Sequence, residues 1–336
     1  MRRLLLAVLL AIALVPPALA GHEAVVLMYH RFGEDDVPST SIRLDQFEAH
    51  LEHLAHGGFT VWPLSRVVAA LRDGSDIPDR TVAITVDDAY RSVATQGWPR
   101  LKARGWPMTL FVATDGVDQG QARIMNWDEI RALRDDGVEI GGHSAAHAHM
   151  AFLDPESQEA DLKRSAERFS AELGAVPTIF AYPYGEYGVH LIESVRNAGY
   201  VSAFGQHSGV TSADRNPFDL PRFAMNEHYG TIDRFRLAVA ARALPVTDAT
   251  PVEIVAQAGT RPTYAFTVAD GRTDGIACYH STSGEKVSLE IEGARVSFTA
   301  PGPLPKGRSR FNCTRPGPEG RWFWFGRQFV TPGGRE

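Results

Sequence analysis

Between residues 24 and about 242 the chain alternates short apolar or β-branched runs with segments whose apolar residues recur at helical spacing. Few folds accept that pattern. A strand, a crossover helix and a further strand make a parallel sheet, either open or closed into a barrel. The expected strands are 24–29, 81–86, 108–113, 138–140, 178–182 and 201–204. The expected helices are 44–56, ended by Gly57-Gly58, then 64–71, 92–104, 127–135 capped by Asn126, 155–173 and 189–197. In such folds reactive groups gather at the carboxyl ends of the strands. His30, Asp87, His143 and the Tyr182-Pro183-Tyr184 segment all fall at such ends.

After Leu244 the helical period disappears. Runs at 254–256, 264–268, 287–291, 294–300 and 321–330 read as strands separated by Gly, Pro and Ser turns, with 301–307 as a loop. The organisation expected is therefore a first domain at 21–246 and a small β-sandwich-like domain at 247–336. Residues 1–20 read as an export signal: Arg2-Arg3, an apolar stretch from Leu4 to Val15, and Ala18-Leu19-Ala20 for cleavage. The apolar stretch is shorter than the ~20 residues that a membrane span needs. The product expected is exported, in the periplasm or outside the cell, with no membrane span. Without Arg2 and Arg3 the remainder holds 32 basic and 40 acidic side chains, a net charge of −8. Such a surface argues against nucleic acid and anionic membranes as partners. The two cysteines, Cys278 and Cys313, are expected to pair in an oxidising compartment, the other reading being two buried thiols.

Two fragments carry the chemistry. Thr85-Val86-Asp87-Asp88 brings two carboxylates to a strand end, and His143-Ser144-Ala145-Ala146-His147 brings two imidazoles to another. On a helical turn an i, i+4 pair of histidines faces one way and can share a metal ion at ~2.0–2.1 Å. Each fragment alone has a plainer reading: adjacent acids after a strand also cap helices, and paired histidines also sit on surfaces. Neighbouring side chains point apart, so one acid can ligate while the other remains a base. His149 is a rival ligand that a helix would turn to another side.

T-V-D-D-A resembles the T-F-D-D-G motif of the polysaccharide deacetylases (carbohydrate esterase family 4, the NodB-homology group), and H-S-A-A-H matches their H-[ST]-x-x-H without a gap. Phe180 to Gly185 resembles their third motif, and the order holds over residues 24–225. The resemblance implies a distorted (β/α) barrel and a metal-dependent deacetylase. It implies Asp87 as general base, Asp88, His143 and His147 as metal ligands, and the Tyr184 N–H as an oxyanion donor. Tyr29-His30 matches the early Y-H of exported poly-N-acetylglucosamine deacetylases, which makes His30 the general acid. Zinc is the metal expected, with cobalt, nickel or iron also suited to two histidines and an aspartate. Val86, Ala89 and the missing motif-three arginine depart from the family pattern. Arg222 can replace that arginine, or pair with Asp219 or solvent.

Tyr182, Pro183, Tyr184, Trp127 and Arg222 are the expected contacts to the polysaccharide. Trp322 and Trp324 share one face of a strand and read either as core or as sugar-stacking. The function expected is N-deacetylation of an N-acetylhexosamine exopolysaccharide, with export machinery for that polymer as a further partner. The competing readings are an O-acetyl esterase with the same site and a carbohydrate-binding protein that keeps the fold without catalysis.

Overall fold

A parallel sheet covered on both faces needs strands that are apolar throughout, and the first two strands meet that requirement. In Glu23–Tyr29 (β1) and Thr81–Asp87 (β2) every residue but Glu23 is buried. The computed structural model describes residues 21–280 and 284–333. The expected export signal at 1–20 lies outside the described residues. β1 and β2 run parallel, with Val25 opposite Val82 and Tyr29 opposite Val86. Thr109–Val112 (β3), Glu139–Gly142 (β4), Ile179–Ala181 (β5) and Ser202–Phe204 (β6) follow in order, each parallel to the last.

The sheet curls until its ends nearly meet. Leu220 bridges Phe204 on β6, and Phe223–Ala224 (β7) pairs in parallel with Leu27 and Met28 on β1. Residues 220–224 thus form an irregular last stave, and the fold is the expected distorted (β/α) barrel. Helices Leu44–His56 (α1), Trp127–Asp135 (α2), Pro155–Leu173 (α3) and Val189–Asn197 (α4) have the expected bounds. Asn126 caps α2 reciprocally: its side chain accepts from the Glu129 N–H, and the Glu129 carboxylate accepts from the Asn126 N–H. The single helix expected at 92–104 is instead a π-turn, Val93–Gly97, followed by the short helix Trp98–Lys102. Pro99 has no N–H to give back to the preceding turn, which breaks the regular ladder.

From Val246 onward the described chain is β-structure in two four-stranded sheets. One joins Val246–Thr250 (β8), Thr263–Val268 (β9), Arg295–Thr299 (β12) and Glu290–Glu292 (β11). The other joins Arg242–Ala243, Trp322–Thr331 (β14), Gly307–Pro316 (β13) and Ala277–His280 (β10). Strands β8, β10 and β13 and the short Arg242–Ala243 are absent from the sequence reading, and 254–256 contributes only a bridge from Val255 to Val330. Cys278 lies directly opposite Cys313 in the ladder, and the two are disulfide-bonded. The sheets do not stand apart from the barrel, because Tyr264, Phe298 and Phe311 share one apolar core with Phe180, Tyr182 and Tyr187.

β4 ends in Gly141-Gly142 because neither position has room for a side chain. A Cβ on Gly141 would overlap the Phe111 ring, and one on Gly142 would lie 2.9 Å from Cε1 of Tyr200. Gly142→Ala is expected to cost about 1–3 kcal/mol through overpacking, measurable by urea unfolding. The displaced strand end carries His143.

Candidate active site

The carboxyl rim of the barrel collects the reactive groups. Asp87 ends β2, and Asp88 and Ala89 follow with positive φ values of 76° and 48°. Asp tolerates that left-handed conformation, while Ala strains in it. The turn sends the two carboxylates apart, as adjacent acids with separate tasks require.

Asp87 is fully buried and held by a guanidinium. Arg222 Nη1 and Nη2 donate to its Oδ1 and Oδ2 at 2.7 and 2.8 Å. Arg222 is itself fully buried, with Nε donating to the Gly205 carbonyl at 3.0 Å and Nη1 to Thr85 Oγ1 at 3.2 Å. Burial alone would push the Asp87 carboxyl up. The charge of Arg222, then those of His143 and His30, and the Arg222 hydrogen bonds outweigh it and hold the group below the ordinary carboxylate range. His30, just past β1, places Nε2 at 3.9 Å from Asp87 Oδ2. Burial pulls its imidazole below the ordinary value, more than Asp87 and Asp88 raise it.

On the other side of Asp87, three donor atoms converge. Asp88 Oδ1 lies 3.4 Å from His143 Nε2 and 3.2 Å from His147 Nε2, and all three residues offer ligand atoms within 4.8 Å of one another. His143 Nδ1 lies 2.6 Å from the Ala181 carbonyl at the end of β5. That carbonyl can only accept, so Nδ1 carries the proton and Nε2 turns its lone pair towards Asp88. Asp88 Oδ1 and His143 Nε2 are buried without a hydrogen-bond partner among the described residues. Lone pairs that converge in this way suit a cation between them. Tetrahedral ligands at ~2.0–2.1 Å from a zinc ion stand ~3.3 Å from each other, which agrees with the two separations to Asp88. The donor set fits a divalent metal.

The histidine pair reaches this place by a route other than the helical turn expected. Residues 143–147 form a bent loop in which Ser144 and His147 have φ values of 68° and 51°. Asp161 on α3, absent from the sequence reading, supports it by accepting from the Ala145 and Ala146 N–H groups at 2.7 and 2.9 Å. Its trace in the sequence is an acid on the helix stripe otherwise buried as Gln158, Leu162, Ser165 and Phe169. His149 is indeed turned away from the cluster: its Nδ1 lies 2.7 Å from Glu186 Oε2, and its ring stacks on Tyr184 at 4.2 Å.

Above the rim lies a cleft of about 860 Å³, lined by His30, Asp88, Tyr90, His147, Tyr184, Tyr229, Arg234, Arg308 and Trp324 among others. Of the five polysaccharide contacts expected, Tyr184 alone lines it. Tyr182 is fully buried, donating to the Phe218 carbonyl at 3.1 Å, and Pro183 is buried beside it. Trp127 faces inward against Phe169, its Nε1 donating to Asp118 at 2.7 Å. Arg222 lies beneath Asp87 and pairs with neither Asp219 nor solvent. Tyr184, at φ 59°, keeps its carbonyl bound to Arg308 Nη1 at 2.9 Å. Trp324 donates from Nε1 to Asn312 Oδ1 at 3.1 Å and packs edge-on to Phe223, so of the Trp pair it is the one at the cleft.

Residues 74–203 match the family described as Polysaccharide deacetylase. The chain carries a polysaccharide deacetylase domain. YxkH of Bacillus subtilis, whose name places it among polysaccharide deacetylases, is 24% identical over 197 residues, covering 59% of this chain and 69% of that protein. The poly-β-1,6-N-acetyl-D-glucosamine N-deacetylase of Escherichia coli K12 is 20% identical over 234 residues, which are 57% of this chain and 35% of that protein. The deacetylase PplD of Streptococcus pyogenes, solved with acetate, superposes with a TM-score of 0.60 at 19% identity, over 65% of this chain and 98% of that one. At that identity the likeness bears on the fold of the deacetylase domain alone. No described helix is long and apolar enough to cross a membrane.

Two substitutions test how the site is held. Arg222→Gln strands a buried carboxylate and is expected to cost about 3–5 kcal/mol in chemical unfolding, with part of the loss recovered when Asp87→Asn is added. Asp161→Asn loosens the ligand loop and is expected to weaken zinc binding by ~10–100-fold, read by competition with a chromophoric chelator.

Proposed function

We propose that the protein is an exported, metal-dependent deacetylase that hydrolyses N-acetyl groups of an N-acetylhexosamine exopolysaccharide. The observation that carries this reading is one adjacency: a buried, arginine-clamped carboxylate beside an Asp-His-His ligand set, both at the floor of an open cleft. The name of the Escherichia coli relative favours the same substrate class, and that of YxkH a polysaccharide. The apolar run and cleavage pattern before residue 21 favour export.

Asp88, His143 and His147 would hold the metal, which polarises an acetyl carbonyl and lowers the pKa of water. Asp87 takes the proton as water adds to that carbonyl, and Arg222 keeps its two oxygens in a fixed plane. The Tyr184 N–H helps to hold the oxyanion that forms. As the C–N bond breaks, His30 gives its proton to the departing amine, which is otherwise a poor leaving group. Acetate and a free amino sugar are the products. The boundary near residue 247 separates this machinery from a β-rich part that walls the cleft.

Acetate release from poly-β-1,6-N-acetylglucosamine oligomers tests the reading. Release is expected from the zinc-loaded protein, absent after chelation, and reduced by ~10²–10⁴-fold in Asp87→Asn. Zinc-loaded protein that releases acetate only from acetylated xylan would replace the amide by an ester as substrate. No retained metal would end the catalytic reading.

The acid limb of the pH profile gives a further check. Asp87 must be ionised to act, and Arg222 is a main reason why it ionises at low pH. Arg222→Lys loses the two-pronged contact, so the Asp87 pKa rises. The acid limb of kcat/KM is then expected to move to higher pH, while the alkaline limb, set by a different group, stays in place.

A further inference from the structure

The turn that carries Tyr184 is held from outside the barrel. Tyr184 has a φ of 59° and Gly185 one of 68°. Glycine takes the left-handed region freely, whereas a bulky aromatic residue does so against its own sterics. A Cβ at position 185 would overlap the backbone nitrogen of Gln206, so the turn lies hard against the segment after β6. Two hydrogen bonds of its own close it. The Gly185 N–H donates to the Tyr182 carbonyl at 2.8 Å, and the Glu186 N–H to the Pro183 carbonyl at 3.1 Å. The next two carbonyls, of Tyr184 and Gly185, are taken by side chains of the β-rich part.

Arg308 Nη1 on β13 donates to the first at 2.9 Å, and Gln328 Nε2 on β14 donates to the second. The register of the two strands explains why both reach the turn. Gln328 stands opposite Arg310, two residues along from Arg308, so Arg308 and Gln328 project from one face of the ladder. Gln328 is fully buried, and its own carbonyl accepts from the Tyr264 hydroxyl at 3.3 Å. The grip continues past Gly185. Buried Glu186 has Oε1 at 4.0 Å from Arg308 Nε. Tyr187 donates to Asp219, whose other oxygen lies 3.5 Å from Arg327 Nη1 on β14. Four successive residues, 184–187, are thus tied to β13 and β14, directly or through one side chain. Bounding a cleft does not require holding main-chain carbonyls. A fully buried amide committed to one of them acts on the backbone's geometry.

We propose that Gln328 and Arg308 are positioning residues for the reaction: by fixing the carbonyls of Gly185 and Tyr184, they hold the strained turn in the conformation that presents the Tyr184 N–H to the oxyanion. The proposal rests on the deacetylase reading for that oxyanion, while the grip on the turn is independent of it. Gln328 is buried and is not among the residues lining the cleft, so its effect passes through the turn. A donor moved off its place is missed most where charge develops, so the loss falls on the rate constant rather than on substrate binding.

Two readouts on the full, zinc-loaded chain test this. Hydrogen exchange followed by mass spectrometry reports the turn itself. Peptides spanning 183–188 are expected to exchange severalfold faster in Gln328→Met, which removes the donor at similar volume, with the rest of the barrel unchanged. Acetate release from poly-β-1,6-N-acetylglucosamine oligomers reports the consequence. In Gln328→Met kcat is expected to fall ~10–100-fold, with KM within about twofold of the unaltered chain. Zinc affinity and both limbs of the pH profile should stay in place, because ligands, acid and base lie on other elements. Arg308→Met should lower kcat in the same way, and Arg308→Lys, which keeps a donor, should recover part of the loss. If Gln328→Met gives no cooperative thermal melt, Arg308→Met, at a partly exposed side chain, decides. Unchanged exchange in the folded variants overturns the grip. Faster exchange with kcat unaltered, or a rise in KM alone, overturns the positioning role. An unaltered chain that releases no acetate ends the deacetylase reading and the positioning role with it, while the exchange data still decide the grip.

Discussion

The contact on which the rim depends is the buried pair between Asp87 and Arg222. Neither partner reaches water, so each makes the other's burial tolerable, and removing either leaves a charge stranded in a low-dielectric interior. Arg222 comes from the irregular stave at 220–224 that closes the barrel between β6 and β1. Barrel closure and the ionisation of the carboxylate are thus one event: the charge that keeps Asp87 ionised arrives with the last stave. The same guanidinium bonds the Gly205 carbonyl and the Thr85 hydroxyl, tying three strand ends behind the site.

Around this pair the ligand set is held by contacts of a different kind. The Ala181 carbonyl selects the His143 tautomer, and Asp161 holds the loop that delivers His147. Asp88 Oδ1 and His143 Nε2 therefore remain without a hydrogen-bond partner among the described residues while the groups behind them are satisfied. That is the arrangement expected of a site that spends folding energy on preorganisation. The steric demand at Gly141 and Gly142 fits the same picture, since β4 must lie close against the Phe111 and Tyr200 rings to bring His143 to its place.

Much of this was legible in the sequence where the signal was local. The strand ends, four helix spans and the Asp and His fragments follow from periodicity and spacing, because each depends on residues a few positions apart. The spacing of His143 and His147 suggested a helical turn, although a loop with two left-handed residues achieves the same convergence. Long-range placement was less legible. Arg222 pairs with a carboxylate 135 positions earlier, and no local pattern states how far the closing stave will bring it. Tyr182 and Trp127 were read as sugar contacts because aromatics near loops often face outward, but both point into the core. Strand β13 escaped notice because its inward residues include Ser309 and Cys313, too small and polar to give a clear alternation.

The hydrogen bond from Arg308 to the Tyr184 carbonyl joins the two halves of the chain at the wall of the cleft. A strand 124 positions downstream thus fixes the backbone of the loop beside the reacting groups. The β-rich part is consequently no detachable appendage. Cutting it away would leave His30, Asp87, Asp88, His143 and His147 in the barrel, yet would open one side of the cleft and release the loop that borders it. The cleft is thus lined by two separate parts of the chain, the rim of the barrel and the outward face of β13, so sequence drift along β13 offers a way to reshape one wall without disturbing the residues gathered at the rim.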